Sequence, residues 1–305
     1  MKSFLSKTKI SAQSGGRPPA AIELSAEGVL GAALDASTGE PAYAFAPLAA
    51  GALVPGIAEP NVRSAEAVTA AIRSALSGLS LRSRSLTVVL PDSSVRVFML
   101  DFDSLPSRTA EVLPVLRLRM RKMVPFDVEH AGISYQVLSQ SGNAVRLLTA
   151  ILPGPVLAEY ESTVRAAGYE PGAVLPSSLA ALEVVDSMEA VLAANLSPLA
   201  LTTSITNGSD LLLHRTLDLP DNPSERLAEI QRGIAVAAAY YEDTLHAPAR
   251  EIHYAGFYDS SDFAKWISAM ELKVVDLIKR PETGAITSLG HASIAGTAGA
   301  LAGAK

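Results

Sequence analysis

The two halves of the chain have the same order of predicted elements, and this repetition constrains the fold more than any single motif. In each half, apolar periodicity and turn residues predict strand hairpins, then alternating helices and strands. The predicted strands cover 20–34 as a hairpin, 42–54, 86–90, 95–99, 133–137, 145–152, 170–175, 190–195, 200–205, 210–217, 252–255 and 272–277. The predicted helices cover 64–79, 107–123, 155–167, 177–188, 224–245, 261–270 and 288–302. This alternation predicts two related α/β domains.

Composition narrows the class of protein. The chain has 305 residues and is 49% hydrophobic, enough for two packed cores. A net charge of −6 does not favour nucleic-acid binding, which usually requires a basic domain. Cysteine is absent, so disulfides and thiolate chemistry are excluded, and no P-loop or GxGxxG motif occurs.

One uncharged stretch near the C-terminus, 284–304, is long enough to span a membrane. It consists mostly of Gly, Ala, Ser and Thr, with few Leu or Ile residues. We interpret it as a buried helix in which Gly299 and Gly303 allow close packing. The N-terminus has no apolar segment of signal-peptide type.

A distinctive series of motifs occupies 85–138. It comprises the strand pair LTVVLPDSSVRVFML, a helix to Met123, the junction Pro125-Phe126-Asp127 and a strand ending in Tyr135-Gln136-Val137-Leu138. This series resembles the PilM family, the cytoplasmic actin-like proteins of type IV pilus assembly. Other stretches similar to the family are Ala166-Ala167-Gly168-Tyr169-Glu170-Pro171, Arg215 after a hairpin, and Glu229-Ile230-Gln231-Arg232 in the long helix. The resemblance spans roughly 19–302.

The resemblance implies an α/β, actin-like (ribonuclease H-like) two-domain fold, with an inserted small subdomain like that of the cell-division protein FtsA. The expected parts are a flexible tail over 1–18, a first domain over 19–84 and 153–188, the insertion over 85–152, and a second domain over 189–305. The C-terminal helix either stays with the second domain or packs back on the first. Within the insertion, Pro125 is expected to end the helix, because a residue before proline is disfavoured in the helical region.

The resemblance also implies where a nucleotide would bind. Actin-like ATPases use two strand-turn-strand loops, in which an Asp holds the magnesium shell and a Gly lets backbone N–H groups approach phosphate. Here Glu23 and Ser25 replace that Asp and Gly in the first loop, and Asn195 and Ser197 stand in the second. The adenosine loop keeps one glycine, Gly256. These departures predict that no cofactor is bound tightly. If the nucleotide site is retained, its ligand is Mg-ATP.

The resemblance further implies a protein partner. Family members bind a short cytoplasmic peptide of the membrane protein PilN beside the inserted subdomain, on a strand edge or in an apolar groove. The candidate wall residues here are Val95, Val97, Met99, Val124, Pro125, Phe126, Tyr135 and Val137. Each of them also suits an ordinary core position, so this assignment is a hypothesis.

Three functions are consistent with these features. The first is a cytoplasmic scaffold, peripheral to the inner membrane, that links a PilN-like protein, and further a PilO-like protein and the pilus motor ATPase. The second is an actin-like ATPase whose nucleotide state controls assembly. The third is the actin-like component of a type II secretion apparatus, a family whose member carries a membrane helix. The altered loops favour the scaffold, and no catalytic residue is predicted.

Overall fold

The computed structural model describes residues 16–35, 38–58, 60–279 and 293–304. The strands are β1 (Ala20–Leu24), β2 (Gly28–Leu34), β3 (Pro41–Pro47), β4 (Ser85–Leu90), β5 (Arg96–Phe102), β6 (Gly132–Ser141), β7 (Ala144–Leu152), β8 (Glu170–Pro176), β9 (Ala190–Leu196), β10 (Ala200–Asn207), β11 (Asp210–Asp218), β12 (Glu251–Gly256) and β13 (Lys273–Asp276). The helices are α1 (Ala65–Ser77), α2 (Thr109–Met120), α3 (Gly154–Ala166), α4 (Ser177–Leu182), α5 (Pro223–Leu245), α6 (Ser260–Trp266) and α7 (Ala295–Ala302).

Two five-stranded sheets share one topology. The first has the order β3-β2-β1-β4-β8 and the second the order β11-β10-β9-β12-β13. In both sheets the first three strands are antiparallel neighbours, and the remaining two pair in parallel. The prediction of two related α/β domains is therefore confirmed.

Strand β1 carries apolar residues on both of its faces, and helices cover both faces of the first sheet. Ile22 and Leu24 point to one face, where they pack with residues of α1 and α3. Ala21 points to the other face, which is covered by α4 and α7. Each fully buried Ile or Leu stabilises the fold by roughly 1.5–3 kcal/mol relative to an exposed side chain. The second sheet packs against α5 and α6.

The inserted subdomain is a three-stranded sheet, order β5-β7-β6, covered on one face by α2. It begins later than predicted, because β4 pairs with β1 and β8 in the first sheet and so belongs to the first domain. Helix α2 starts at Thr109 and contains Pro114, which removes one intrahelical donor. It ends at Met120, earlier than predicted, and the Arg117 guanidinium donates to the carbonyl oxygens of Val128 and Ala131 in the following turn.

Some other predicted boundaries also differ. The third strand stops at Pro47 instead of continuing to 54, and α4 stops at Leu182 instead of 188. The end of the predicted tail is held by two contacts of Arg17. Its backbone forms an isolated β-bridge with Ala304, and its guanidinium forms an ion pair with Glu183 at 3.3 Å. The rest of that tail, 1–15, and 280–292, the start of the predicted last helix included, lie outside the described residues.

The last helix packs closely on the first domain. A Cβ atom at Gly299 would lie 1.8 Å from the carbonyl oxygen of Ala180 in α4, and one at Gly303 would lie 2.4 Å from the Arg17 guanidinium. Only glycine allows these approaches, so α7 completes the far face of the first sheet. Among the described residues, the helices are too short or too polar to cross a bilayer.

Candidate functional site

A narrow cleft lies where β1, β9 and β12 end. Its lining includes all of the loop residues predicted from the sequence, namely Glu23, Ser25, Asn195, Ser197 and Gly256. The fold therefore brings these residues together. The cleft encloses about 80 Å³, and Leu30, Phe45, Pro198 and Phe257 add apolar walls. Pockets for drug-sized ligands usually enclose roughly 300–1,000 Å³.

The two hairpin turns of the cleft are closed by their own serines. Ser25 Oγ accepts a hydrogen bond of 3.2 Å from the Gly28 N–H. Ser197 Oγ accepts bonds of 3.3 and 3.0 Å from the N–H groups of Leu199 and Ala200. In a phosphate-binding loop such backbone donors face the ligand. Here each serine stands at a position where actin-like ATPases have glycine. Its hydroxyl oxygen accepts hydrogen bonds from backbone N–H groups of its own turn.

Glu23 lies at the floor of the cleft. Its Oε1 atom accepts a hydrogen bond of 2.6 Å from Ser177 Oγ. Its Oε2 atom is inaccessible and makes no hydrogen bond within the described part of the chain. Oε2 faces α7, since a Cβ atom at Gly296 would lie 2.5 Å from it. One carboxylate oxygen is thus engaged and the other is covered.

The protonation of Glu23 follows from this burial. Burial, and to a lesser extent the charge of Asp92, raise the pKa of Glu23 from 4.5 to about 7. The hydrogen bond from Ser177 opposes the rise. The Thr297 peptide N–H also lowers the pKa, although it does not meet the geometric limits of a hydrogen bond. A carboxyl group that is half protonated near neutral pH is a poor magnesium ligand, since metal-binding carboxylates must be ionised.

Asp92 connects the two domains. It lies just after β4 in a buried turn and is 7% exposed. Its Oδ1 atom accepts bonds from the N–H (3.0 Å) and hydroxyl (2.8 Å) of Ser178, at the start of α4. Its Oδ2 atom accepts bonds from Asn195 Nδ2 (3.1 Å) and Thr202 Oγ1 (2.8 Å) of the second sheet. Asn195 therefore lines the cleft with its amide engaged by Asp92 and, at 3.2 Å, by Ser177 Oγ.

Asp92 is not among the site residues predicted from the sequence. Its position in the sequence could have identified it. Asp92 closely follows a strand that is buried on both faces, so it lies at the carboxyl-terminal end of that strand. Ligand and interdomain contacts in open α/β sheets form at such ends. His214 of β11, also missed, completes the cluster. Its Nδ1 atom lies 2.9 Å from Ser204 Oγ, and its Nε2 atom lies 3.5 Å from Ser178 Oγ. Burial lowers the pKa of His214 to about 4, against the attraction of Asp92, so the ring is neutral.

A second concave site, which we call the apolar groove, separates the inserted subdomain from the first domain. It encloses about 270 Å³ between β6 and β7 on one side and α3 and β8 on the other. Its apolar lining residues include Val95, Leu148, Ala150, Leu152, Leu157, Val174 and Leu179. Both β6 and β8 are edge strands of their sheets, so each can pair with a further strand.

The structure divides the candidate wall residues among different places. Val95 and Tyr135 line the apolar groove. Val97 and Met99 pack against α4 and the second sheet. Val124, Phe126 and Val137 belong to the subdomain core beneath α2, and the Tyr135 ring packs there too. Pro125 is exposed after the end of α2 and lines neither the cleft nor the apolar groove.

This division has a geometric cause. Successive residues of a strand point to opposite faces of the sheet. In β6, Ile133 and Tyr135 pack against the core beneath α2 and reach the groove only in part, whereas Ser134 and Gln136 line the groove alone. The apolar residues of β6 therefore fill the core, and the groove takes most of its apolar wall from β7, α3 and β8.

Among the solved structures that are similar to this chain are the following three. One, described as a PilM-PilN type IV pilus biogenesis complex, has 16% sequence identity and a TM-score of 0.74 over 94% of this chain and 99% of the other. The cytoplasmic domain of EpsL, an inner-membrane component of the Vibrio cholerae type II secretion system, has 14% identity and a TM-score of 0.49 over 88% and 92%. A Bacteroides thetaiotaomicron protein with an actin-like ATPase fold has 12% identity and a TM-score of 0.46 over 87% and 93%. No protein-family model and no curated protein matches the sequence. The chain has the actin-like fold, as the resemblance implied.

Proposed function

We propose that this chain is a cytoplasmic scaffold of a type IV pilus or related secretion apparatus. It binds the cytoplasmic segment of a PilN-like inner-membrane protein and does not hydrolyse ATP. One observation carries the proposal: the cleft encloses only about 80 Å³ and its polar side chains bond to one another, whereas the apolar groove encloses about 270 Å³. The likeness in fold to the PilM of a PilM-PilN complex supports the choice of partner.

The contents of the cleft support the absence of ATP hydrolysis. Phosphoryl transfer depends on positioned phosphates and on magnesium. Glu23 is engaged by Ser177, and Asn195 donates to Asp92. Ser25 and Ser197 accept hydrogen bonds from backbone N–H groups of the turns that would hold phosphate. A nucleotide would have to displace all of these contacts, and the polar groups it freed would each need a new partner.

The apolar groove supports peptide binding. An extended segment can add to an open strand edge through its backbone and place alternate side chains in an apolar pocket. The edges of β6 and β8 offer such pairing, and Leu148, Leu157 and Leu179 offer the pocket. Binding a PilN-like segment there would hold the chain at the inner membrane. Contacts with a PilO-like protein and the motor ATPase would use other surfaces.

Calorimetry of the full chain tests the proposal. We expect no heat of binding with Mg-ATP and a measurable affinity for a synthetic peptide of the cytoplasmic segment of a PilN-like protein. Clear binding of Mg-ATP that is lost in Glu23→Ala would favour the ATPase function instead. A folded chain that binds neither Mg-ATP nor the peptide would contradict the scaffold.

A further inference from the structure

A third concavity lies between the inserted subdomain and the second domain, and we call it the basic groove. It encloses about 390 Å³ between β5 and β11. The lining residues that matter here are Arg96, Met99, Arg146, Leu213, Arg215 and Tyr240. It shares no lining residue with the cleft and none with the apolar groove. It is thus a separate surface.

Both walls of the basic groove are sheet edges. Strand β5 pairs only with β7, and β11 pairs only with β10, in the sheets that the structure describes. Although β5 and β11 run near one another, they do not form a ladder. An edge strand leaves alternate backbone N–H and C=O groups without a ladder partner, so it can pair with an added strand.

The charge of this groove is opposite to that of the chain. Three arginines and one aspartate line it, although the chain as a whole has a net charge of −6. Arg96 pairs with Asp218 at 2.6 Å, and Arg146 pairs with Asp101 at 2.7 Å. Arg215 is exposed and forms no ion pair with any described residue. A carboxylate is therefore the natural counterpart of Arg215.

The groove also has apolar lining. Met99 and Leu213 contribute to it, and the Tyr240 ring stands beside them, 41% exposed. The Tyr240 hydroxyl donates to the carbonyl oxygen of Leu212 at 3.4 Å, so the ring is held against the β11 edge. Tyrosine and arginine are the side chains that interface hot spots favour.

We propose that the basic groove binds an extended acidic segment of a partner protein. The segment lies along the groove, places a carboxylate beside Arg215 and packs an apolar side chain against Tyr240. One free arginine suits a short acidic peptide better than nucleic acid, which needs several unpaired cations along its backbone. The inference does not depend on the nucleotide cleft or on a PilN-like partner.

A random decapeptide display library, selected on the immobilised full chain, supplies the probes. Enriched peptides are then measured by fluorescence anisotropy against the wild type, Arg215→Glu and Arg250→Glu. Arg250 is the matched control, because it is also exposed but precedes β12, with β10 and β9 between β12 and β11. Circular dichroism confirms that each variant is folded.

We expect the enriched peptides to be acidic. Their affinity should fall roughly tenfold or more in Arg215→Glu, which corresponds to a loss of about 1.4 kcal/mol. It should be unchanged in Arg250→Glu. Arg215→Lys should retain part of the affinity. Enriched peptides without acidic residues, or with equal affinity for wild type and Arg215→Glu, would overturn the proposal. So would competition by a single-stranded DNA oligonucleotide, which would assign the groove to nucleic acid.

Discussion

The Oδ2 atom of Asp92 accepts a hydrogen bond of 2.8 Å from Thr202 Oγ1, across 110 residues of sequence. Asp92 follows a strand of the first sheet, and Thr202 lies on β10 of the second. The same carboxylate also accepts from Ser178 and Asn195. A buried side chain therefore bridges the two domains.

Replacing Asp92 with Ala should destabilise the fold strongly. The change leaves the buried Ser178 N–H without its acceptor and removes one of the two acceptors of the Asn195 amide, and a buried unpaired group costs roughly 1–3 kcal/mol. We expect the free energy of unfolding, measured in urea, to fall by about 3 kcal/mol. Asp103→Ala, an exposed aspartate after β5, is the control and should change little. Equal urea midpoints for both variants would refute the role of Asp92.

Stability should depend on pH through Glu23. The folded pKa of about 7 lies above the ordinary 4.5, so between these values the folded chain holds a proton that the unfolded chain releases. The free energy of unfolding therefore falls as the pH rises through this window, by about 3 kcal/mol in total. The contribution is fully present below pH 4.5.

Glu23→Gln isolates this effect. Glutamine keeps the shape of the side chain and removes the ionisation, so the variant should gain stability over the wild type as the pH rises from 5 to 8. Burial holds the pKa of His214 at about 4, which favours the unfolded chain as the pH falls below 6.5. That contribution is common to both proteins and cancels in their difference. A difference that stays constant with pH would show that Glu23 is ionised throughout.

Gly299→Ala should be destabilising although alanine is the better helix former. Helix propensity alone would stabilise α7 by about 1 kcal/mol. The new methyl group would lie 1.8 Å from the Ala180 carbonyl oxygen, and such overpacking usually costs about 1–3 kcal/mol. Thermal unfolding should show a lower midpoint than wild type. Gly78→Ala, with no atom within 4 Å of the added Cβ, should leave the midpoint nearly unchanged.

Ser134→Arg should weaken binding of the proposed PilN-like peptide. Ser134 is exposed on β6 and lines the apolar groove, so a long charged side chain would occupy it. We expect at least about a tenfold loss of affinity by fluorescence anisotropy. Ser139→Arg makes the same change further along the same strand, outside the groove, and should bind normally. Equal affinity in both variants would place the peptide elsewhere.

The sequence predicts much of the fold because the same periodic pattern occurs twice. The hairpin of β1 and β2 and the Ser64 cap of α1 are local features, and the Ser64 hydroxyl does accept from the Ala67 N–H. The loop residues of the cleft, Glu23 and Asn195 among them, follow from the family resemblance and not from periodicity. Strand membership is different: β4 joins the first sheet through partners far along the chain. Local patterns do not specify such pairings.

The groove residues were harder to predict. Apolar alternation marks which residues of β6 share a face, but it does not say which face meets α2. Val137 packs in the subdomain core, whereas Tyr135 packs there and also lines the apolar groove. Asp92 and His214 gave no local pattern, because their roles depend on contacts between domains.

The position of α7 has a consequence for synthesis. This helix, at 295–302, covers Ala21, Leu30 and Val89 of the first sheet. A ribosome must therefore translate the whole second domain before the first can be completed. During that interval one apolar face of the early sheet is covered by α4 alone, and partly exposed apolar surfaces favour aggregation. We infer that the nascent chain needs protection, by a chaperone or by rapid translation, until this late helix emerges.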